Sequence, residues 1–160
     1  MIVAFFESFK YVGHLFPLAF LRIYVGIFFT HEASEWISLG WTREPHLVST
    51  LERGLSIGAT SHWYENFLVQ IVSPNWKIFS VFLIVSYFLV GIGYVLGYLV
   101  RPLSILAILL LAHQLELTTS VESQFHSLMM VVVIVLLWFG AGRCLGFDYF
   151  FYKRNRGIWW

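Results

Sequence analysis

The sequence contains 23 consecutive uncharged residues, from Ile78 to Val100, between a lysine and an arginine. A helix of this length rises about 34 Å, enough to cross a hydrocarbon core about 30 Å thick. The run has no polar face, so it does not suit a helix lying on the surface of a soluble core. The chain is therefore predicted to be an integral membrane protein.

Composition supports this prediction. Hydrophobic residues make up 59% of the chain and charged residues 12%, about half of the roughly 25% found in soluble domains. The net charge of +1 gives no basis for binding nucleic acid. A single cysteine, Cys144, excludes a disulfide within this sequence and any multi-cysteine metal site. We expect contact with a lipid bilayer and no nucleic-acid partner.

Gaps between charges predict three further membrane spans. Pro17 and Pro102 suit first helical turns, where the missing N–H of proline is not needed. The predicted spans cover about residues 16–36, 78–100, 102–118 and 126–140. The predicted fold class is all-α, a polytopic four-transmembrane-helix bundle formed by a single domain over residues 1–160. A long outer loop joins spans one and two.

The distribution of Lys and Arg predicts the orientation of the bundle. One side would hold both termini and the short turn between spans two and three, together with Lys10, Arg101, Arg143, Lys153, Arg154 and Arg156. The other side would hold only Arg43, Arg53 and Lys77, spread through the long loop. The positive-inside rule then places both termini in the cytoplasm, in a cell inner or plasma membrane.

The loop from about Ser38 to Asn75 contains two segments with apolar residues at helical spacing, HLVSTLERGLSIGA and WYENFLVQIV. This spacing predicts short helices lying on the outer surface. They would form either a lid over the bundle or simple interfacial packing, and the second interpretation is favoured.

Ionisable side chains gather near the predicted outer ends of three spans. They are His31, Glu32 and Glu35 on span one, His113, Gln114 and Glu116 on span three, and Glu122 and His126 on span four. Such residues are costly in a bilayer unless they are paired or hydrated, so they mark candidate functional sites.

The spacing within this cluster indicates proton chemistry. His31 and Glu35 stand four residues apart, and His113 and Glu116 three, so each pair shares a helix face. A carboxylate that accepts from an imidazole N–H raises the basicity of the ring. We therefore predict these four residues as catalytic groups that exchange protons with a quinone, and His126 as a cofactor-binding residue.

Other interpretations of these groups stay open. Histidines and carboxylates at span ends can simply be hydrated by the headgroup region. The Glu-x-x-His motif of dinuclear metal bundles occurs here only in reverse order, so no metal site is predicted. A haem or chlorin held by one histidine is a further alternative. Arg22 lies about 9 Å into span one, where it would snorkel or bind an anion or quinone carbonyl. Arg22 and Arg101 are predicted to bind cofactor.

Several segments together resemble the DoxX/DoxD family of integral membrane proteins. FLRIYVGIFFTHEASEWI is similar to its first span, with Leu-Arg, then Gly, then an outer His. WYENFLVQIVSPNWKIFSVFLIV and GYVLGYLVRP are similar to its loop and second span. GAGRCLGFDYFF resembles its Gly-x-Gly-Arg turn followed by Asp. The resemblance covers about residues 18–152 and includes Arg22, His31, Arg101, Arg143 and Asp148.

This resemblance implies a four-helix membrane bundle. In the DoxD branch it implies the membrane subunit of a thiosulfate:quinone oxidoreductase, which works with a small second subunit. The chain departs from the family at two positions, with Glu35 where Lys is common and Tyr87 where Glu is common.

Two functions from different classes follow. The first is a quinone-linked oxidoreductase subunit, with quinone as its cofactor or substrate. The second is a non-catalytic accessory subunit of a larger respiratory or photosynthetic complex, in contact with other membrane protein subunits. The polar cluster favours the first function, whereas the tyrosine at position 87 and the lack of cysteine pairs favour the second. Transport is a distant third, because four short, unbroken spans rarely form a transporter alone.

Overall fold

The computed structural model of the chain is built from helices. It describes residues 16–56, 62–118, 120–143 and 146–148, and within these ranges it has no strand. The α-helices are α1 Phe16–Ser38, α2 His46–Ser56, α3 His62–Phe67, α4 Trp76–Leu96, α5 Val100–Leu117 and α6 Ser120–Phe139. A π-helical turn, Leu68–Val72, follows α3, and a 3₁₀ turn, Ala141–Arg143, follows α6. The all-helical prediction is confirmed over the described residues.

Three of these helices, α4, α5 and α6, are long and apolar enough to cross a membrane. Helix α1 has a comparable length of 23 residues, but its second half carries His31, Glu32 and Glu35 and is therefore less apolar. The chain thus has three candidate membrane spans among its described residues. The fourth span, predicted over residues 16–36, stays a prediction.

Helix α1 packs antiparallel to α4 through small residues. A Cβ atom added to Gly26 would lie 2.8 Å from the Gly91 carbonyl oxygen, and one added to Gly91 would lie 2.9 Å from the Gly26 carbonyl oxygen. Phe29 and Tyr87 continue the contact, with ring centroids 5.0 Å apart. Small residues allow this close approach, which in a membrane supplies dispersion contacts instead of a hydrophobic driving force.

Helix boundaries at the α4–α5 turn differ from the predicted spans. Helix α4 ends at Leu96 because Gly97 takes a left-handed conformation with φ 66°. The Tyr98 N–H donates to the Gly93 carbonyl at 2.9 Å, as in a glycine-capped helix end. Helix α5 then begins at Val100, two residues before Pro102. The uncharged run over residues 78–100 therefore contains both a helix and the turn that follows it.

The beginning of α6 also differs from the predicted fourth span. The helix starts at Ser120, about six residues before the predicted start near His126. Its first turns carry polar side chains, including Glu122, which the charge-gap criterion placed outside the span. Helix formation does not require the apolar composition by which a span is recognised, so the helix extends beyond the predicted span.

Asp148 ties the chain after α6 to the α4–α5 turn. Its carboxylate accepts hydrogen bonds from the backbone N–H groups of Leu99, at 2.7 Å, and Val100, at 3.1 Å. The Asp148 N–H donates to the Gly97 carbonyl at 3.0 Å. The residue is buried and satisfies donors at the start of α5, as an N-cap side chain does. We call this region, around Gly97, Val100 and Asp148, the tail end of the bundle.

The opposite end carries the two short helices predicted in the long loop. Leu47 and Leu51 of α2 are buried, and a Cβ added to Gly54 would lie 3.0 Å from the Leu117 Cα atom. Helix α2 therefore packs directly on the last turn of α5. We call this the loop end, formed by α2, α3 and the C-terminal turns of α1 and α5. Residues 1–15 and the basic segment after Asp148, which the distribution of Lys and Arg places on the cytoplasmic side, lie outside the described residues.

Candidate functional site

A cavity of about 440 Å³ lies at the loop end, between α1, α2, α5 and α6. We call it the loop-end cavity. Its volume falls within the range of small-molecule binding sites. Aromatic side chains form part of the lining: Phe28, Trp36, Trp41 and Phe125. Polar side chains form another part: Glu32, Thr50, Gln114, Thr118, Glu122 and His126. Apolar walls with a few convergent polar groups are typical of such sites.

The aromatic wall is built by α1 and its neighbours. Phe28, Glu32 and Trp36 follow one another at four-residue intervals, so they share one face of α1. The Trp36 and Trp41 rings stack at a centroid distance of 4.8 Å and an angle of 15°. Phe28 meets Phe125 of α6 edge to face at 5.4 Å. Both tryptophans are largely buried, so the wall is a fixed surface on which a flat ring could stack.

The polar groups of the cavity come from three helices. Gln114 of α5 donates a hydrogen bond from Nε2 to the buried Tyr87 hydroxyl at 3.2 Å. His126 Nδ1 lies 2.8 Å from the backbone carbonyl oxygen of Glu122, one turn earlier on α6. Glu32 interacts electrostatically with His126. A carboxylate, an amide and an imidazole are thus held around one space.

His31 and Glu35, predicted as catalytic, lie beside the cavity and not among its lining residues. His31 Nδ1 is 3.9 Å from a Glu35 carboxylate oxygen, and the two side chains are 74% and 52% exposed. One ligand atom from each of His31, Glu32 and Glu35 falls within 4.8 Å of the others. Glu32 therefore connects the cavity to an exposed His/carboxylate pair.

His113 and Glu116, the other predicted catalytic pair, lie in a second polar site. The His113 ring forms a hydrogen bond with the Tyr64 hydroxyl of α3. Burial, with a smaller contribution from Glu116, raises the pKa of Tyr64 to about 12. Neither His113 nor Glu116 lines the loop-end cavity, whereas Gln114 between them does. This second site joins α3 to α5.

The predicted cofactor-binding residues divide between the two ends. His126 lines the loop-end cavity. Arg22 is fully buried at the tail end, where its Nη1 donates to the Ala141 carbonyl at 2.9 Å. Arg22 and Arg101 both interact with Asp148. Arg22 thus faces the protein interior and does not snorkel, because Asp148 and Ala141 bring polar partners to its depth.

Sequence reasoning identified Glu32, Gln114 and Glu122 as members of the polar cluster but did not assign them to the site. The aromatic wall was not anticipated. Its signal is present in the sequence, since Phe28, Glu32 and Trp36 recur every four residues. That spacing shows a shared face, but it does not show whether the face points inward.

Comparison of the chain with protein-family models, with curated proteins and with solved structures gives no match. Function is therefore inferred from the residues and their geometry.

Proposed function

We propose that this chain is a DoxX/DoxD-like four-helix membrane protein that acts as the membrane subunit of a quinone-linked oxidoreductase. The observation that carries the proposal is the loop-end cavity, which combines a stacked aromatic wall with a carboxylate, an amide and an imidazole. A quinone headgroup is a flat ring with oxygen atoms at opposite edges, so it needs an aromatic surface and polar groups together. The cavity provides both.

Helix α1 is the fourth span in this proposal. It packs along α4, a candidate span, and its one arginine, Arg22, is fully buried and hydrogen bonded. With four spans, both termini lie in the cytoplasm and the loop end faces the outer side of the inner or plasma membrane. Quinone diffusing in the outer leaflet then reaches the cavity from the bilayer.

Glu32, His31 and Glu35 supply the proton route. Reduction of a quinone to a quinol takes two electrons and two protons, so the site must be connected to water. Glu32 lines the cavity. His31 and Glu35 are exposed, and each places a ligand atom within 4.8 Å of a Glu32 carboxylate oxygen. Carboxylates and imidazoles are the side chains that most often exchange protons in catalytic sites. His113 and Glu116 are not part of this route.

Electrons would come from a donor held by a partner subunit, thiosulfate in the resembled branch. The chain has one cysteine and hence no cysteine pair of its own. Helix α6 offers a surface for such a partner, because 17% of its candidate span is buried, against 50% for α4 and 39% for α5. The same observation favours the second candidate function, an accessory subunit of a larger respiratory or photosynthetic complex.

Quinone binding by the purified protein tests the proposal. A short-chain quinone is titrated into the protein in detergent, and the Kd is obtained by calorimetry after correction for partition into empty micelles. Trp41→Ala removes half of the stacked pair and should weaken binding about tenfold, since an aromatic contact contributes about 0.5–1.5 kcal/mol beyond area. Trp63→Ala is the matched control, because Trp63 of α3 is exposed and lies outside the cavity.

The outcomes separate the two candidate functions. A Kd that weakens only in Trp41→Ala supports a quinone site in the cavity. Absence of quinone binding contradicts the oxidoreductase proposal. Mass spectrometry of the complex purified from native membranes then decides for the accessory function, if every cofactor is found on other chains.

A further inference from the structure

Hydrogen-bond acceptors dominate the polar lining of the loop-end cavity, and His126 shows this most directly. Its Nδ1 lies 2.8 Å from the backbone carbonyl oxygen of Glu122. A carbonyl oxygen only accepts hydrogen bonds, so Nδ1 carries the hydrogen. In the neutral ring, Nε2 then has a lone pair and accepts.

The two threonines of the lining have also used their donors. The Thr50 hydroxyl donates to the His46 carbonyl at 2.9 Å, and the Thr118 hydroxyl donates to the Gln114 carbonyl at 2.9 Å. A hydroxyl has one hydrogen and two lone pairs, so each of these oxygens offers only acceptance to a ligand.

Gln114 is oriented by a residue outside the cavity. Tyr87 is 1% exposed and accepts from Gln114 Nε2 at 3.2 Å. This bond uses one of the two amide hydrogens of Gln114. The Gln114 Oε1 atom remains an acceptor, and Tyr87 acts as a positioning residue.

The charged side chains of the lining are also hydrogen-bond acceptors. Glu32 and Glu122 contribute carboxylates, which accept and do not donate when ionised. No Lys or Arg occurs among the described residues that line the cavity. The donors that remain are the second Gln114 hydrogen and the indole N–H groups of Trp36 and Trp41. An anion such as thiosulfate would meet two carboxylates and no fixed cation.

We propose that the loop-end cavity preferentially binds the reduced form of the quinone, an aromatic diol that donates two hydrogen bonds. This inference rests on the proposed function and specifies the redox state that the same site selects. A hydroquinone presents O–H donors to Glu32, Glu122, Gln114 Oε1 or His126 Nε2, whereas a quinone presents only carbonyl acceptors. Facing acceptors repel one another, so the oxidised form loses affinity in the same pocket.

Tetramethylhydroquinone and tetramethylbenzoquinone form a matched pair of probes, because they differ only in the two hydrogens. Both are titrated under argon into the protein in detergent, with correction for partition into empty micelles. The hydroquinone should bind about tenfold or more tightly. Glu32→Gln exchanges an acceptor for an amide that also donates, and should reduce the preference to about threefold or less. Glu52→Gln, an exposed carboxylate of α2 outside the cavity, should keep the full preference.

Each result decides between the two proposals. Equal or tighter binding of the quinone, or a preference unchanged by Glu32→Gln, overturns the redox-state inference while a quinone site remains. Binding of neither probe overturns the proposed function as well. A weakened hydroquinone Kd in Tyr87→Phe, with the quinone Kd less affected, supports the positioning role of Tyr87, because the Gln114 amide then loses the hydrogen bond that holds it.

Discussion

Replacement of Asp148 by alanine should release the chain after α6 from the tail end. Asp148 is 2% exposed and lies far in sequence from the helix start that it caps. Its carboxylate is the hydrogen-bond acceptor for the Leu99 and Val100 N–H groups. Alanine leaves both donors without that acceptor and removes the negative charge beside Arg22 and Arg101.

The size of the effect follows from counting the hydrogen bonds. A buried donor left without an acceptor costs about 1–3 kcal/mol, so two donors give about 2–6 kcal/mol for Asp148→Ala. Asp148→Asn keeps one side-chain oxygen as an acceptor and should cost about half as much. The ratio of the two effects is more informative than either value, because both variants remove the same charge.

The free energy of unfolding is measured by titration with sodium dodecyl sulfate in mixed micelles, followed by far-ultraviolet circular dichroism. Glu52→Ala is the control, since it removes an exposed carboxylate from α2 and should change stability by no more than about 0.5 kcal/mol. The capping argument is refuted if Asp148→Ala is as stable as this control. Equal losses in Asp148→Ala and Asp148→Asn would show that charge matters and the hydrogen bonds do not.

Two further predictions concern helix packing and the Tyr64 site. Gly91→Ala should lower the free energy of unfolding by about 1–3 kcal/mol, because the new Cβ would collide with Thr30 and the Gly26 backbone; Ile92→Ala, at an exposed position on the same helix, should cost less in the same titration. Tyr64 is expected to stabilise the fold below its ordinary pKa and to lose this contribution as pH rises from about 10 towards 12, since its folded pKa is raised to about 12. Tyr64→Phe should therefore flatten the alkaline decline of stability relative to the unmodified chain, and identical pH profiles would contradict this role.

The predicted helices illustrate how much of the fold can be read from the sequence. The uncharged run over residues 78–100 predicted α4, and the helical spacing in HLVSTLERGLSIGA predicted α2. The sequence did not predict the exact end of α4, because the helix cap depends on the left-handed conformation of Gly97. No residue from Leu96 to Val100 is charged, so a search for uncharged runs does not detect that turn.

The candidate site shows a different limit. Pair spacing selected His31 with Glu35 and His113 with Glu116, whereas the residues that line the cavity include Glu32 and Gln114. Adjacent helical residues point about 100° apart, so an error of one position changes which side chain faces inward. Arg22 posed a similar problem, because its interaction partner Asp148 is distant in sequence and nothing local indicates that the two meet.

The sequence by itself determined that the chain contains helices apolar enough to cross a membrane. It also determined the helical class and the gathering of polar groups toward one end of the helices. These properties depend on composition and on local spacing, which the sequence states directly. Tertiary structure alone decided which face of α1 is turned inward. Polarity does not mark the outward face of α1, because apolar residues stand on its exposed side, as Phe20 and Ile27 do, as well as on its buried side. The close contact of Gly26 with Gly91 sets that rotation, and with it the choice of Glu32 as the carboxylate in the cavity.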